Sequence, residues 1–460
     1  MKKLYRFSAI ALLVLPLVFT SCSDYLDRDD DDNITEADVF ARYEKVNGLV
    51  SDVYAAAKKA DRPLVFFEHF SNSAITDECE GTNVEGNITN NFNNGAWNPN
   101  SLPGSVGQYW EALYEGIRKA NLIIENVQKY NTPDNPQQDG DLRNRIGEMY
   151  FMRGYFHMLL LRMYGEAPYI DRVINAGDNM DFKKESVHSM VEKIVTDAQT
   201  AYGMVPNKYV KTSENFGRVD KGACLGLISF VRWVAATPLW NGASQYGYNL
   251  RRVFENEYAY DATRWRKAKE AAKAVLDFEV GGTKRYSLYT KHDANDFKDP
   301  ADGNLNDSRV YARLWDMFYD MDAFANEYVF FMTKSKDQAW QGDIYPPSRE
   351  GSSRQQPVQE QVDEYEYIVG DYGYPVYSAE ARKGGYDDTN PYVKGTRDPR
   401  FYRDVIYHGA PYRNNKNESK TINTASGSDK IGATNATTTG YYLRKFQQES
   451  WNKSGNFSIN

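Results

Sequence analysis

Gly147-Glu-Met-Tyr-Phe-Met-Arg-Gly-Tyr-Phe-His-Met-Leu-Leu-Leu-Arg-Met-Tyr-Gly-Glu-Ala-Pro-Tyr169 is the stretch on which the fold turns. Ile146, Met149, Met152, Phe156, Leu159, Leu160 and Met163 recur three and four residues apart, the spacing of one apolar helix face. They predict a helix from Leu142 to Tyr164. Gly165 offers the left-handed residue that commonly ends a helix, and Pro168 lies just beyond it.

Outward from this stretch the same period recurs. Thr35 is a capping residue for a helix over Glu36–Ala60, with Val39, Phe40, Tyr43, Val46, Val50, Val53 and Tyr54 on one stripe. Further helices are predicted over Val106–Tyr130, Ser186–Tyr202, Asp220–Ala236 and Ala262–Phe278. Neighbouring pairs of helices suit helical-hairpin repeats of the tetratricopeptide kind, although no clean repeat signature is present. Gly222 and Gly226 would let one helix approach its neighbour closely. The fold class is therefore mainly α, with a helical scaffold over residues 36–280. An Asn-, Gly- and Ser-rich loop at 71–107 interrupts it, and long loops in compact domains are often functional. Residues 281–460 form a loop-rich second part with short strands expected at Tyr328–Thr333 and Val405–Tyr407.

The N-terminus reads as an address. Lys2, Lys3 and Arg6 precede an apolar run from Ala9 to Phe19, then small residues and Cys22, the layout of a secretory signal over 1–21. The run is shorter than the roughly 20 apolar residues a bilayer span requires. A cysteine at the processing point can carry a lipid, so Cys22 is the expected lipidation site. Residues 22–35, with Asp27 and Asp29 to Asp32, would form an acidic tether. The formal charge of −8 becomes more negative once the signal is removed, which argues against nucleic acid and against anionic lipid headgroups. Any membrane attachment is expected through the lipid alone. Cys79 and Cys224 are expected to be free and buried. The chain holds 35 Tyr, 8 Trp and 22 Phe beside many Asn, and flat rings with polar edges suit sugars.

Several blocks, in order, resemble the SusD/RagB family of outer-membrane nutrient-uptake lipoproteins from Bacteroidetes. The opening stretch resembles the family's E-x-x-F-L-R-A-x-x-Y-F helix and the Y-G-D-V-P turn after it. Tyr109-Trp110, Tyr114-Glu115-Gly116-Ile117 and Ala120-Asn121 precede it. Gly217-Arg218-Val219-Asp220-Lys221-Gly222-Ala223 and Trp265-Arg266-Lys267-Ala268 follow. Pro357-Val358-Gln359-Glu360-Gln361-Val362-Asp363-Glu364-Tyr365-Glu366, Asp398-Pro399-Arg400-Phe401 and Thr439-Gly440-Tyr441-Tyr442-Leu443-Arg444-Lys445-Phe446 complete the series. In the family a further helix pair follows the last block, so the resemblance leads us to expect a sequence truncated before its final helices, with Asn460 in a loop. It implies a SusD-like binding protein, not an enzyme. Such a protein captures a glycan, or in some relatives a peptide, at the cell surface, on the outer membrane and facing the medium. It acts as a lid on a SusC-like TonB-dependent outer-membrane transporter.

Candidate ligand contacts are aromatics in polar loops. Trp97, Asn98 and Asn100 lie in the early loop, where the resemblance places ligand contacts. Trp340 and Tyr345 form a second candidate, and Trp315, between Tyr311 and Tyr319, a third. Asp77 and Arg349 are candidate polar partners. Trp110, Trp233 and Trp265 fall on predicted helices and read as core. Glu166 reads as structural. No cofactor is expected, and no metal site. The five histidines are scattered, and the Asp27–Asp32 run lacks the spaced ligands and glycine of an EF-hand. No nucleophile elbow or phosphate loop is present. Two rival functions remain: a tetratricopeptide-type interaction lipoprotein without sugar binding, and a surface glycoside hydrolase, for which no carboxylate pair stands out.

Overall fold

Thr35 Oγ1 accepts a hydrogen bond from Asp38 N at 3.2 Å, and Asp38 Oδ2 accepts one from Thr35 N at 3.0 Å. This reciprocal cap starts α1 (Glu36–Phe40). In the computed structural model, residues 35–60, 72–82, 88–98, 100–130, 136–209, 214–243, 254–290, 317–318, 326–331, 342–393, 395–413 and 419–445 are described. The signal segment, Cys22 and most of the acidic tether lie outside these residues, as do Trp315 and Trp340.

The single helix expected over 36–60 is two helices. The chain turns at Ala41-Arg42, and α2 runs from Tyr43 to Ala60. Phe40 and Val46 are both buried, whereas one straight helix would place them about 120° apart around its axis. The turn brings both to the core. After α3 (Ile88–Asn93) come α4 (Gly104–Tyr130), α5 (Pro136–Tyr164), α6 (Val187–Met204), α7 (Lys221–Ala236) and α8 (Ala262–Asp277). Each of α4 to α7 packs on the next helix in the chain, and α2 packs on α4 and α5. This serial stacking is the helical-hairpin arrangement read from the sequence. Ser186, Asp220 and Asp261 cap α6, α7 and α8 by accepting from backbone N–H groups.

The core explains why the opening stretch dominates. Phe151, Met152, Tyr155, Phe156, Met158, Leu159, Leu160 and Leu161 are all buried, so the second half of α5 is covered all round. Its polar residues are buried as well. Arg153 holds Asp197 on α6 through Nε at 2.8 Å, and its NH1 donates to Asn121 Oδ1 at 2.9 Å and to Asp171 O at 2.8 Å. Tyr169 completes the group by donating to Asp197 Oδ2 at 2.6 Å. The close approach between helices is made at Gly116, where a Cβ would lie 2.4 Å from the Phe156 ring. Gly222 and Gly226 serve a different purpose from the one expected. The Tyr286 hydroxyl and the Val329 side chain, both from connecting segments, occupy the space where their Cβ atoms would sit.

His157 stacks on Tyr169 with ring centroids 3.7 Å apart. Its Nδ1 donates to Arg153 O at 2.8 Å, and its Nε2 accepts from Ile170 N at 3.1 Å. Burial, reinforced by the neighbouring Arg153 charge, pushes His157 down to about 3. The unfolded chain therefore binds a proton that the fold refuses between roughly pH 6.5 and the depressed value. Stability from this group is complete above that window and is lost as the pH falls through it. Replacing His157 by Gln is expected to flatten the dependence of unfolding free energy on pH between 6 and 4 by about one proton relative to wild type. Urea titrations at several pH values check this, and parallel slopes would refute it.

Two tryptophans depart from expectation. Trp233 is 51% and Trp265 43% exposed. Among the described residues α8 buries only Ala268, because it packs on α7 along one face. Trp110 behaves as expected and packs against the core, edge-on to Tyr164 at 5.0 Å. Cys79 and Cys224 are buried and free, and burial pushes the Cys79 thiol up to about 12.

Two-stranded ladders and short helices accompany the helix stack, most of them in the second part. Strands β1 (Cys79–Glu80) and β4 (Gln356–Pro357) pair, as do β2 (Glu279–Val280) with β3 (Thr283–Lys284) and β5 (Tyr367–Val369) with β6 (Tyr372–Tyr374). So do β7 (Val405–Ile406) with β10 (Tyr442–Leu443), and β8 (Pro411–Arg413) with β9 (Ser419–Thr421), all antiparallel. The expected strand at 328–333 is absent over its described residues 328–331, which form a bend. Between the ladders lie α9 (Gln359–Asp363), α10 (Ala379–Lys383) and α11 (Pro399–Asp404). The small cores here are rich in tyrosine: Tyr345, Tyr367, Tyr386, Tyr402, Tyr412, Tyr441 and Tyr442 are buried. These seven of the 35 tyrosines thus fill the interior rather than offer a sugar-binding surface.

Candidate ligand-binding surface

The early loop has structure of its own. A 3-10 turn at Asn72–Ile75, β1 and α3 fold on one another. Asn93 Nδ2 donates to Ala74 O at 3.0 Å and to Glu80 Oε2 at 3.2 Å, tying α3 to the turn and the strand. The β1–β4 pairing sets Cys79 opposite Pro357 and Glu80 opposite Gln356. Thr82 Oγ1 adds a hydrogen bond to Ser352 O at 3.2 Å. The early loop is thereby sewn to the second part, which no local sequence signal showed.

Trp97 is half-buried. It lies edge-on to Phe92 at 4.9 Å and packs on the helical core. This anchoring fixes the segment that follows. Asn98 and Asn100 are exposed, Asn98 Oδ1 accepts from Asn100 N at 3.0 Å, and Asn98 O accepts from Ser101 N at 2.9 Å. The turn is held by one side-chain oxygen and one carbonyl, which leaves the Asn98 and Asn100 amide groups at the surface.

Tyr345 is not a surface platform. It is fully buried with Ile406, Tyr412 and Tyr442. Arg349 is buried too, its guanidinium carbon 5.4 Å from the Tyr345 ring and 5.0 Å from the Tyr412 ring. A proline-bounded turn returns this segment to the core: Arg349 N donates to Pro346 O at 2.8 Å, and Ser353 N to Tyr345 O at 3.2 Å. Asp77 is exposed, as a surface polar contact requires. Of the residues expected to meet a ligand, the structure brings Trp97, Asn98 and Asn100 together and assigns Tyr345 and Arg349 to the interior.

The helical scaffold carries a groove of about 630 Å³ between α5, α7 and α8. Phe151, Tyr155, Met158, Leu227, Phe230 and Leu276 are among its lining residues. A sugar site needs a hydroxyl rim met by polar groups, and this lining offers few of them. Burial raises Asp220, a property that suits a general acid, but its Oδ1 caps α7 and its Oδ2 lies 3.5 Å from Arg285. Glu166 is likewise structural, accepting from the Tyr258 hydroxyl at 2.9 Å and from Phe254 N at 3.2 Å.

A SusD-like family model described as starch-binding and associating with the outer membrane matches residues 24–231. A second, for the SusD family, matches residues 315–458. The chain belongs to the SusD/RagB family. A SusD-like protein P2 of Formosa agariphila is 24% identical over 202 residues, 43% of this chain and 38% of that relative's length. A SusD-like protein of Bacteroides fragilis has the same fold, with a TM-score of 0.66 and 18% identity over 92% of this chain and 71% of its own. A SusD-like carbohydrate-binding protein from the same organism aligns at 0.64, with 14% identity over 92% and 71%. The blocks quoted from the sequence thus carry SusD elements: the first lies on α5, the Pro357 block on β4 and α9, and the Asp398 block on α11. As a SusD-family chain it belongs with proteins associated with the outer membrane, and carbohydrate binding occurs among them. No helix among the described residues is long and apolar enough to cross a membrane.

Proposed function

We propose that this chain is a cell-surface glycan-binding lipoprotein, anchored through Cys22, that captures oligosaccharide and delivers it to a SusC-like TonB-dependent transporter. The observation that carries the binding step is the early loop. Trp97 anchors a turn whose Asn98 and Asn100 amides reach solvent, and β1–β4 fixes that loop against the second part. An exposed amide pair offers both donors and acceptors to vicinal sugar hydroxyls. The carbohydrate-binding relative supports the ligand class. Binding without turnover, on the face of a barrel, is the role this reading assigns.

Calorimetry with a panel of plant, algal and host oligosaccharides tests it. At least one is expected to bind and to be recovered unchanged. Replacing Trp97 by Ala is expected to weaken that binding about tenfold, because the turn loses its anchor and the ring its contact area. Release of reducing ends would favour a hydrolase. Co-purification of a barrel protein with no glycan bound by any panel member would favour a purely protein-binding role.

A further inference from the structure

On the second part, α9 and the hairpin β5–β6 flank a polar and aromatic seam. Tyr377 is 53% exposed, unlike most tyrosines here. Its ring is nonetheless held in place. The hydroxyl donates to Asp363 Oδ1 at 3.2 Å, and the ring meets Tyr386 edge-on at 6.0 Å. Tyr386 is buried and meets Tyr367 in the same way at 5.5 Å. Asp363 Oδ1 also accepts from Gln359 Nε2 at 2.7 Å, and Gln359 Oε1 accepts from the buried Tyr441 hydroxyl at 2.7 Å. Oδ2 of Asp363 makes no hydrogen bond or ion pair with the described residues, and Gln359 is exposed with one amide N–H to spare.

We propose that Tyr377, Asp363 and Gln359 form a second carbohydrate contact, separate from the Trp97 loop, that takes a neutral pyranose. The exposed ring offers an apolar face to the C–H side of a sugar. Asp363 Oδ2 accepts from one hydroxyl or from two vicinal ones, and Gln359 donates to a ring or hydroxyl oxygen. The groups are already oriented by Tyr386 and Tyr441, so binding orders little. Charge sets the class. Asp363 is joined by Glu360 and Glu364 on and just after the same short helix, and Arg382 on α10 is paired with Asp388 at 3.0 Å. Sugars bearing carboxylate or sulfate groups are therefore disfavoured. The class of ligand rests on the glycan-binding reading above, while the site itself does not depend on Trp97.

The test is calorimetry of the full chain with malto-, laminari-, cello-, xylo- and mannohexaose, and with oligoalginate as the charged control. A neutral hexaose is expected to bind, with Tyr377→Ala weakening it about tenfold, Tyr377→Phe staying within about twofold, and Asp363→Asn weakening it about threefold. Oligoalginate is expected to bind at least tenfold more weakly than the best neutral sugar. A neutral hexaose bound equally by wild type, Tyr377→Ala and Asp363→Asn overturns this site and leaves the Trp97 reading standing. Tight oligoalginate binding overturns the assigned class. Failure of every neutral hexaose to bind wild type overturns this site, and binding of any other member of the wider oligosaccharide panel then leaves the Trp97 reading standing. Should Tyr377→Ala not fold, Asp363→Asn alone decides, since it preserves size and shape.

Discussion

Replacing Glu148 by Ala is expected to destabilise the protein by about 3–5 kcal/mol, read as a fall in the urea midpoint. Glu148 sits on α5 with no exposed surface. Its Oε1 accepts from Arg145 and from the Tyr209 hydroxyl, the latter at 2.7 Å. Its Oε2 accepts from Arg218 NH1 at 2.9 Å and from the Tyr54 hydroxyl at 3.0 Å. Tyr54 in turn accepts from Val219 N at 3.0 Å. Burial and the Glu148 charge hold both tyrosines protonated well above the ordinary tyrosine range, so each remains a donor. One carboxylate thus joins α2, α5 and the approach to α7. Without it two guanidinium groups stay in the interior, their side chains only 6% and 11% exposed, with their counter-charge gone. Uncompensated buried charge is among the few causes of losses this large. Arg232→Ala is the control. Its partner Glu192 is 54% exposed, so a loss under about 1 kcal/mol is expected there. Comparable losses in the two variants would show that the buried network carries no special weight.

The helical half was legible because its signals are local. Periods of three and four, and the caps at Thr35, Ser186 and Asp220, are written within a few residues of the elements they specify. The boundaries of α6, α7 and α8 accordingly agree with the sequence reading to within two residues. The break at Ala41-Arg42 was not legible, because it answers to the separate burial of Phe40 and Val46. The second part depends on pairings far apart in the chain. Thr438 N donates to Gln356 Oε1 at 2.7 Å across 82 residues, and β1 reaches β4 across most of the molecule. No window of sequence contains such contacts. The same distance effect misled the reading of aromatics. Tyr345 in its Pro-rich turn looks like a surface residue until Ile406, Tyr412 and Tyr442 close over it. Tyr377 stands in an equally polar setting and remains open. Composition told the two apart in no way; only the fold did.

Replacing Arg397 by Lys is expected to cost about 3–4 kcal/mol and to loosen the second part more than the helical scaffold. Arg397 is 2% exposed and lies over the Phe401 ring at 4.9 Å. Its Nε and NH2 donate to Tyr365 O at 2.9 and 2.7 Å, its NH2 also to Val362 O at 2.6 Å, and its NH1 to Pro391 O at 3.3 Å. Val362 and Tyr365 lie on and just after α9, so the guanidinium holds the end of that helix against α11. A lysine keeps the charge but presents one point in place of a planar fork. At most some of the three carbonyls remain satisfied, and the others are buried without a partner. The loss should therefore appear first as faster amide exchange across residues 359–404, with α5 and α6 still protected. Asp363 is on the helix that Arg397 fixes, so sugar affinity at the proposed Tyr377 site should fall in Arg397→Lys although Arg397 itself is buried and away from the ligand. Uniform loss of protection in both halves would show one cooperative unit. Unchanged exchange in 359–404 would show that the carbonyl contacts hold nothing in place.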